Sequence, residues 1–409
     1  MRKYGADSVV GKEGEEMIGP QGILDTDLYK LTMQQAVCQL YPWAKARYSF
    51  INRSETPFPR GFDAELSSLV KEMKKLRLTK KEKTWLARKC RYFHPVYLDY
   101  LEGYRFDPGE VRIEQAGGEL NITIEGYWYT SILWEVPLMA LISELYFEMT
   151  GEKDKAYSED KVHELNLKKA RFFKENGIRF IDFGTRRRFS YENHARLIPD
   201  LMQAGECLLG TSNVHLAHLH DLAPIGTQAH EWFQFHSAKY GFRMANQMAL
   251  QRWIDVYKGE LGIALTDTFG TENFFQAFDA YFTRVFDGIR QDSGDPFAFL
   301  KSALAHYESL GIDPLSKTFV FSDSLDLELS KAIHDRCVGK VKDLYGIGTF
   351  LTNDVGVKPL NMVIKMVQCQ PFRGSDRWVD AIKISDASGK YTGNRDTIEL
   401  ARHTLFMEE

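Results

Sequence analysis

Short apolar runs recur through the second half of the chain, and each ends in small or polar residues. Most of them precede a segment with helix-like character. Runs that are apolar at every position fit strands buried on both faces, and their alternation with helices is typical of parallel βαβ units. The runs are RFIDFGT, CLLGTS, PIGT, GIALTDT, DGIRQDS, TFVFSDS and LYGIGT, which end at Thr185, Ser212, Thr227, Thr268, Ser293, Ser324 and Thr349. NMVIKMV, from Asn361, is an eighth candidate.

This series of strand and helix units predicts an α/β fold whose parallel sheet closes into a barrel, with a doubly wound open sheet as the alternative. In both folds the carboxyl ends of the strands form one rim, where active sites are built. The concentration of charged, hydroxyl and glycine residues at the predicted strand ends favours an enzyme. These residues are Asp182, Arg186, Ser212, Thr227, Asp267, Arg290, Asp292, Ser293, Asp323, Gly346, Gly348 and Thr349.

The chain divides into four predicted segments. Residues 1–22 form a polar N-terminal tail. Residues 23–150 mix strand-like and helical pieces and predict a flanking α+β domain. The barrel and its rim are assigned to residues 151–369, and residues 370–409 are expected to pack on the flanking domain.

The composition is that of a soluble globular protein, since 44% of the 409 residues are hydrophobic and 26% are charged. A formal net charge of −4 argues against a general nucleic-acid-binding protein, which needs a basic face. The five cysteines form no C-x-x-C pair, which is typical of reduced thiols in the cytoplasm. The N-terminal tail holds no apolar run long enough for a signal peptide or membrane span. We therefore expect a cytoplasmic protein with neither a nucleic-acid nor a membrane partner.

Two motifs at predicted strand ends suggest phosphate and metal chemistry. GIGTFLTND, from Gly346, could offer backbone N–H groups to a phosphate, although a plain strand-to-helix turn is the alternative. GIRQDSGDP combines Arg290 with Asp292 and Ser293. A guanidinium binds carboxylate or phosphate, and carboxylates hold Mg²⁺ or ribose hydroxyls. The alternative is a tight turn, since SGDP is also a good turn sequence.

Other polar residues allow weaker inferences. Asp267 and Asp323 lie at predicted strand ends, but each could simply cap the following helix. The three arginines at residues 186–188 begin at the rim, where an anion site competes with an ordinary charged surface. The histidines of HLAHLH have no matching carboxylate or cysteine set, so solvated helix histidines are favoured over a metal site.

The role of His230 is left open by its local sequence, PIGTQAHEWF. A structural histidine at the start of a helix explains these residues as well as a histidine that does chemistry. The choice depends on what the rest of the chain places around it.

Together the motifs resemble those of the nicotinate phosphoribosyltransferase family, and they occur in the family's order. They are DTDLYKLTM, IDFGTRRR, LLGTSNV, PIGTQAHEW, LTDTF, IRQDSGDP, FSDSLD and YGIGTFLTND, with ISDASGK near the C-terminus. The resemblance implies an irregular parallel α/β barrel, as in type II phosphoribosyltransferases, with a flanking α+β domain. It also implies a homodimer with shared active sites.

The reaction implied by the resemblance belongs to NAD biosynthesis and salvage. Nicotinate and phosphoribosyl pyrophosphate give nicotinate mononucleotide and pyrophosphate, with coupled hydrolysis of ATP and with Mg²⁺ as cofactor. The pyridine nitrogen is the nucleophile and needs positioning more than a base. His230 is thereby left for phosphate chemistry.

Residue roles follow from the resemblance and from the rim positions. His230 matches the histidine that ATP phosphorylates, and Arg290 and Asp292 are its expected catalytic companions. The expected nicotinate site consists of Tyr29 (matching a tyrosine that the partner subunit supplies), Phe183, Ser212, Thr227 and Arg290. The expected phosphoribosyl and phosphate site consists of Arg186, Asp267, Ser293, Asp323, Gly346, Gly348 and Thr349. Mg²⁺ would be held through phosphates, with Asp292 or Asp323 as the protein ligand.

Three other functions remain alternatives at this point. Nicotinamide phosphoribosyltransferases have similar motifs but an aspartate where this chain has Ser212, and a hydroxyl suits a substrate carboxylate better. Glycoside hydrolysis by two rim carboxylates would leave the glycines and arginines unexplained. A nucleotide-binding sensor would bind without turnover.

Overall fold

The computed structural model describes residues 18–387 and 390–407. Its strands are β1 Lys45–Asn52, β2 Val111–Ala116, β3 Glu119–Tyr127, β4 Phe180–Asp182, β5 Leu208–Thr211, β6 Ala223–Pro224, β7 Ile263–Leu265, β8 Gly288–Gln291, β9 Thr318–Phe321, β10 Lys342–Ile347, β11 Met362–Gln370 and β12 Val379–Asp380. Its α-helices are α1 Leu28–Leu40, α2 Phe62–Glu72, α3 Lys80–Lys89, α4 Pro95–Gly103, α5 Trp128–Ser131, α6 Glu135–Thr150, α7 Glu159–Asn176, α8 Tyr191–Leu201, α9 Val214–His220, α10 His230–Tyr240, α11 Phe242–Tyr257, α12 Thr271–Ala277, α13 Ala280–Val285, α14 Pro296–Ser309, α15 Leu327–Cys337, α16 Thr349–Thr352 and α17 Arg395–Thr404.

The second half of the chain forms a curled parallel sheet of seven strands in the order β6-β5-β4-β10-β9-β8-β7. These strands match the seven predicted runs one for one, and the predicted parallel α/β barrel is confirmed as a partly closed barrel. Strands β6 and β7 are the edges. Thr227, just after β6, spans the opening by donating its hydroxyl to the Ile263 carbonyl of β7 at 3.1 Å.

The flanking domain contains an antiparallel sheet in the order β12-β11-β1-β3-β2. The candidate eighth barrel strand is β11, and it lies in this sheet instead, where Ser49 of β1 pairs with Lys365. The apolar residues of β11 identify a strand but not its sheet, because strand pairing depends on partners distant in sequence, here those of β1.

The C-terminal segment contacts both parts of the molecule. Strand β12 extends the flanking sheet, and Cys369 pairs with Val379. The chain then turns to the barrel rim, where the Ile384 N–H donates to the Thr268 carbonyl at 2.8 Å. This second contact places residues around Ile384 beside the carboxyl ends of the barrel strands.

The predicted N-terminal tail falls largely on residues 1–17, which lie outside the described residues. Its last part is packed against the protein, since the Gly19 N–H donates to a carboxylate oxygen of Glu144 at 3.0 Å. Glu144 belongs to α6, whose residues are mostly buried in a core shared by the two domains.

One helical stretch in the described part of the chain, Trp128–Thr150, is long and apolar enough to cross a membrane. Its most apolar part is 89% buried inside the protein, as in a core helix. The five cysteines are free thiols, in agreement with the expectation that they form no disulfide.

Candidate active site

A cavity of about 490 Å³ lies between the carboxyl rim of the curled sheet and strand β11 of the flanking sheet. Most of the predicted site residues line it. They are Tyr29, Phe183, Arg186, Ser212, His230, Arg290, Asp292, Asp323, Gly346, Gly348 and Thr349. Parallel strands bring their carboxyl ends to one edge, so residues scattered through the sequence meet there.

Three predicted site residues lie behind the cavity wall. The Thr227 hydroxyl is used by β7, and its carbonyl accepts from the Thr32 hydroxyl at 2.6 Å. Asp267 is fully buried and accepts from the Ser293 hydroxyl at 2.5 Å. These residues support the rim from below.

His230 is the first residue of α10 and is only 5% exposed. Its Nδ1 lies 3.0 Å from the Thr268 hydroxyl. Its Nε2 lies 3.0 Å from Asp292 Oδ2 and 3.0 Å from Lys383 Nζ. Burial and, next, the Lys383 ammonium lower the pKa of His230 to about 4, against the opposing effect of Asp267 and Asp292. The ring is therefore neutral near pH 7 and retains a basic nitrogen.

Lys383 is held in place by Asp267. Its Nζ donates to Asp267 Oδ2 at 2.9 Å, and the pair is almost completely buried. Burial by itself would raise the pKa of Asp267, but Lys383 and His230 lower it below its ordinary value. Asp267, predicted as a phosphoribosyl ligand, thus touches the cation beside His230 and does not line the cavity.

His230 and two carboxylates form a group with the spacing of a metal site. Ligand atoms of His230, Asp267 and Asp292 lie within 4.8 Å of one another, as a divalent cation would require. Lys383 Nζ already bonds both His230 and Asp267, so the group carries its own cation and does not fit a resident metal held by all three. Asp292 is 29% exposed and faces the cavity, and it fits an Mg²⁺ shared with substrate phosphates.

Asp323 is also engaged by a lysine. Lys390 Nζ donates to its two oxygens at 3.0 and 2.9 Å.

The histidines of HLAHLH are in no group of metal-binding geometry among the described residues, and His215 instead contacts the Tyr191 hydroxyl at 3.1 Å.

An aromatic ring and two glycines form one end of the cavity. A Cβ at Gly346 would lie 2.6 Å from the Phe183 ring, and a Cβ at Gly348 would lie 3.3 Å from the Phe183 carbonyl oxygen. The glycines therefore let Phe183 lie directly on the end of β10. This support of Phe183 is a role that the glycine-rich motif did not indicate from sequence.

Two arginines are available to an anion in the cavity. Arg290 Nε is buried without a hydrogen-bond partner among the described residues, which is costly unless a ligand supplies an acceptor. Arg186 is 33% exposed and stands 3.9 Å from Asp27 and 3.7 Å from Glu135, too far for direct hydrogen bonds. Both guanidinium groups can therefore gain contacts from a carboxylate or a phosphate.

Ser212 differs from its expected role. Its hydroxyl donates to Asp27 Oδ1 at 2.7 Å, so the proton is directed at the protein itself. Asp27 is 2% exposed, and burial chiefly raises its pKa. Arg186 and Arg290 remain available as donors to a substrate carboxylate.

Tyr29 lines the cavity from its own chain. The main chain beside it is tied to the barrel, because the Leu28 N–H donates to the Ser212 carbonyl at 2.8 Å. The resemblance implied a tyrosine from the partner subunit. The single chain already places one at the cavity.

The sequence did not single out several charged residues of the cavity, and for some of them a signal existed. Lys390 ends the ISDASGK motif and Lys383 precedes it directly. Lys365 is the only charged residue in the run NMVIKMV, and burial lowers its pKa to about 8. The three arginines also divide, since residues 186 and 187 line the cavity whereas Arg188 is buried beside Asp25 and Glu144.

Comparison with known proteins gives one consistent result. The model of the nicotinate phosphoribosyltransferase N-terminal domain matches residues 24–143, and the model of the nicotinate phosphoribosyltransferase family matches residues 178–409. A nicotinate phosphoribosyltransferase of Desulforapulum autotrophicum is 53% identical over 95% of this chain and 99% of its own length. One of Chromohalobacter salexigens is 50% identical over 94% and 97%. The crystal structure of the Porphyromonas gingivalis nicotinate phosphoribosyltransferase aligns with a TM-score of 0.91 at 44% identity, over 94% of this chain and 99% of that one.

Proposed function

The chain belongs to the nicotinate phosphoribosyltransferase family, an enzyme family of NAD salvage whose substrates are nicotinate and phosphoribosyl pyrophosphate, and on this premise we propose that His230 is its phosphate-accepting residue. The family assignment decides against glycoside hydrolysis, a non-catalytic sensor and the nicotinamide-specific alternative. The observation that carries the proposal is the position of His230, whose imidazole lines the cavity with Nε2 3.0 Å from Lys383 Nζ.

The chemistry of phosphate transfer fits this environment. A neutral ring nitrogen can attack the γ-phosphorus of ATP, so that the N–P bond forms, the bond to the bridging oxygen breaks and ADP leaves. Lys383 and Lys390 line the same cavity and attract phosphate groups. Hydrolysis of the phosphohistidine then returns the free histidine and inorganic phosphate, and couples ATP to product formation.

Phe183, Tyr29 and Arg290 form the proposed nicotinate site. The Phe183 ring offers a flat face at one end of the cavity, and the unpartnered Arg290 Nε offers a charged donor to the carboxylate. Because the pyridine nitrogen is already unprotonated at neutral pH, the site needs only to position it against the ribose.

The proposed phosphoribosyl site uses Arg186, Asp323 and the Gly348–Thr349 turn at the rim. Loss of pyrophosphate develops negative charge on the leaving group, which cationic side chains stabilise. Mg²⁺ bound to the phosphates, with Asp292 as the fitting protein ligand, would neutralise more of that charge. Asp267 and Ser293 act on this site through Lys383.

We also propose a homodimer, on the strength of the family resemblance, and a cytoplasmic location, on the strength of the scattered cysteines. Tyr29 offers a direct test of shared sites. Co-expressed Tyr29→Ala and His230→Ala chains should regain activity if each site takes its tyrosine from the partner, because a mixed dimer then has one intact site. Isolated mixed dimers without activity would leave the tyrosine to the chain's own cavity.

The phosphohistidine is tested by incubation with γ-labelled ATP and Mg²⁺. The wild-type protein should acquire an acid-labile, base-stable label, and His230→Ala should lose both the label and the ATPase activity. His230→Ala should retain slow product formation without ATP, since the residues that bind nicotinate and pyrophosphate are intact. His215→Gln, outside the cavity, is the matched control and should be labelled normally. A folded His230→Ala protein with normal ATPase activity would contradict the proposal.

A further inference from the structure

We propose that Asp182 and His194, which lie outside the cavity, are positioning residues that hold Phe183 for the pyridine ring. This inference rests on the proposed stacking role of Phe183. Asp182 is the last residue of β4, and His194 lies on α8, which packs outside the barrel. Both side chains are fully buried.

The Asp182 carboxylate has three hydrogen-bond partners. His194 Nε2 lies 2.7 Å from Asp182 Oδ2, and the Thr211 hydroxyl donates to the same oxygen at 2.7 Å. The Gly184 N–H donates to Asp182 Oδ1 at 2.9 Å. Burial would raise the pKa of Asp182, but His194, Thr211 and the Gly184 amide lower it. An ionised carboxylate is therefore the form that this arrangement stabilises.

The His194 ring makes its hydrogen bond through Nε2, to Asp182. Its Nδ1 is buried and has no hydrogen-bond partner among the described residues. A proton on Nδ1 would be left without an acceptor, so we assign a proton to Nε2, where it faces Asp182. The pair thereby ties the end of β4 to α8.

Phe183 is clamped on both sides by these contacts. Before Phe183 in the chain, the Asp182 carbonyl accepts a hydrogen bond from the Ser212 N–H at 2.8 Å. After Phe183, the Gly184 N–H donates to the Asp182 carboxylate. The Phe183 N–H itself donates to the Ile347 carbonyl at 2.8 Å. The Gly184 carbonyl accepts from the Thr352 hydroxyl at 2.9 Å.

The Phe183 ring is restrained as closely as its backbone. It rests on Gly346, where a Cβ would already be too close at 2.6 Å. A small rotation of the peptide between Asp182 and Gly184 would move the ring away from this support and change the face offered to nicotinate. Asp182 and His194 are placed to prevent that rotation.

A double-mutant cycle tests the inference, with Phe183→Ala, His194→Ala and the double variant. If His194 acts through Phe183, His194→Ala should raise the nicotinate KM about tenfold in the wild-type background and have almost no further effect in the Phe183→Ala background. The KM for phosphoribosyl pyrophosphate should change little. His194→Gln keeps an N–H donor toward Asp182 and should restore most of the nicotinate affinity.

The matched control is His163→Ala, which breaks another histidine–aspartate pair at α8, that of His163 with Asp200 at 2.8 Å, away from the cavity. It should leave both KM values unchanged. If His194→Ala does not fold, Thr211→Val removes the other donor to the same Asp182 oxygen and takes its place in the cycle.

The outcomes separate the inference from the function on which it rests. Additive effects of the Phe183 and His194 substitutions, or equal increases in both KM values, would overturn the positioning role. An unchanged nicotinate KM in Phe183→Ala alone would refute the stacking role of Phe183 and, with it, this inference. Label incorporation at His230 is measured separately and is independent of both.

Discussion

Lys383 Nζ lies 3.0 Å from His230 Nε2, so the proposed phosphate acceptor shares a hydrogen bond with a cation. Asp267, 2.9 Å from the same ammonium, keeps that cation in the protein interior. The result is a histidine that stays neutral at a position already suited to negatively charged phosphate.

Removing this cation should change the titration of His230. Lys383→Met is expected to raise the pKa of His230 from about 4 toward its ordinary value of 6.5, because a positive charge that disfavours the imidazolium is gone while Asp292 remains. Since the neutral ring exists only above its pKa, His230 phosphorylation should then fail at a higher pH than in the wild-type protein. NMR titration of labelled histidine measures the pKa directly.

Lys390→Met is the control for that experiment, because Lys390 bonds Asp323 and not His230. It should leave the titration of His230 where it is. An unchanged pKa in Lys383→Met would show that burial alone keeps the ring neutral.

Arg290→Ala should weaken nicotinate binding. A charge-assisted hydrogen bond contributes about 1.5–3 kcal/mol, which corresponds to a nicotinate KM raised roughly tenfold to a hundredfold, with a lower kcat. Steady-state kinetics with varied nicotinate measure both constants. Arg284→Ala, an exposed arginine on α13, should behave as the wild-type protein. Equal kinetics of the two variants would remove Arg290 from the nicotinate site.

Gly346→Ala should impair the nicotinate site without touching a substrate directly. The added methyl group would meet the Phe183 ring at 2.6 Å, so the ring must move off β10. The nicotinate KM should rise more than the KM for phosphoribosyl pyrophosphate. Gly103→Ala is the control, because among the described residues nothing beyond its chain neighbours and its own helix lies within 4 Å of the new methyl group. A larger effect on phosphoribosyl pyrophosphate would favour the phosphate cradle over the support of Phe183.

Arg188→Met should destabilise the protein far more than it affects the chemistry. Arg188 is fully buried, with Asp25 at 2.7 Å and Glu144 at 2.6 Å, and its loss leaves two buried carboxylates without their cation. Such losses cost about 3–5 kcal/mol of the free energy of unfolding. Arg112→Met breaks an exposed pair with Glu114 and should cost about 0–1 kcal/mol. Urea unfolding of the two variants gives the comparison, and similar midpoints would contradict it.

The parallel barrel could be predicted because its signals are local. A short apolar run indicates each strand, and the polar residue that follows the run lies at the rim, as Asp292 does after β8 and Thr349 after β10. Strand β11 shows where this reasoning stops. Its apolar residues identify a strand but not the strand beside it, because pairing depends on partners distant in sequence, here β1.

The amino-acid sequence was sufficient for the positions of the barrel strands along the chain, the residues at their ends and the family of the enzyme. The tertiary structure alone decided which of those side chains meet. Lys383 and His230 are hydrogen-bonded although they are 153 positions apart in the sequence, and the Ser212 hydroxyl donates to Asp27, which is 185 positions away. A hydrogen bond forms only within about 3 Å, and that proximity is set by the paths of whole segments. The C-terminal segment that returns to the rim thereby adds Lys383 to the burial that already lowers the pKa of His230, and no local pattern around PIGTQAHEWF contains that contact.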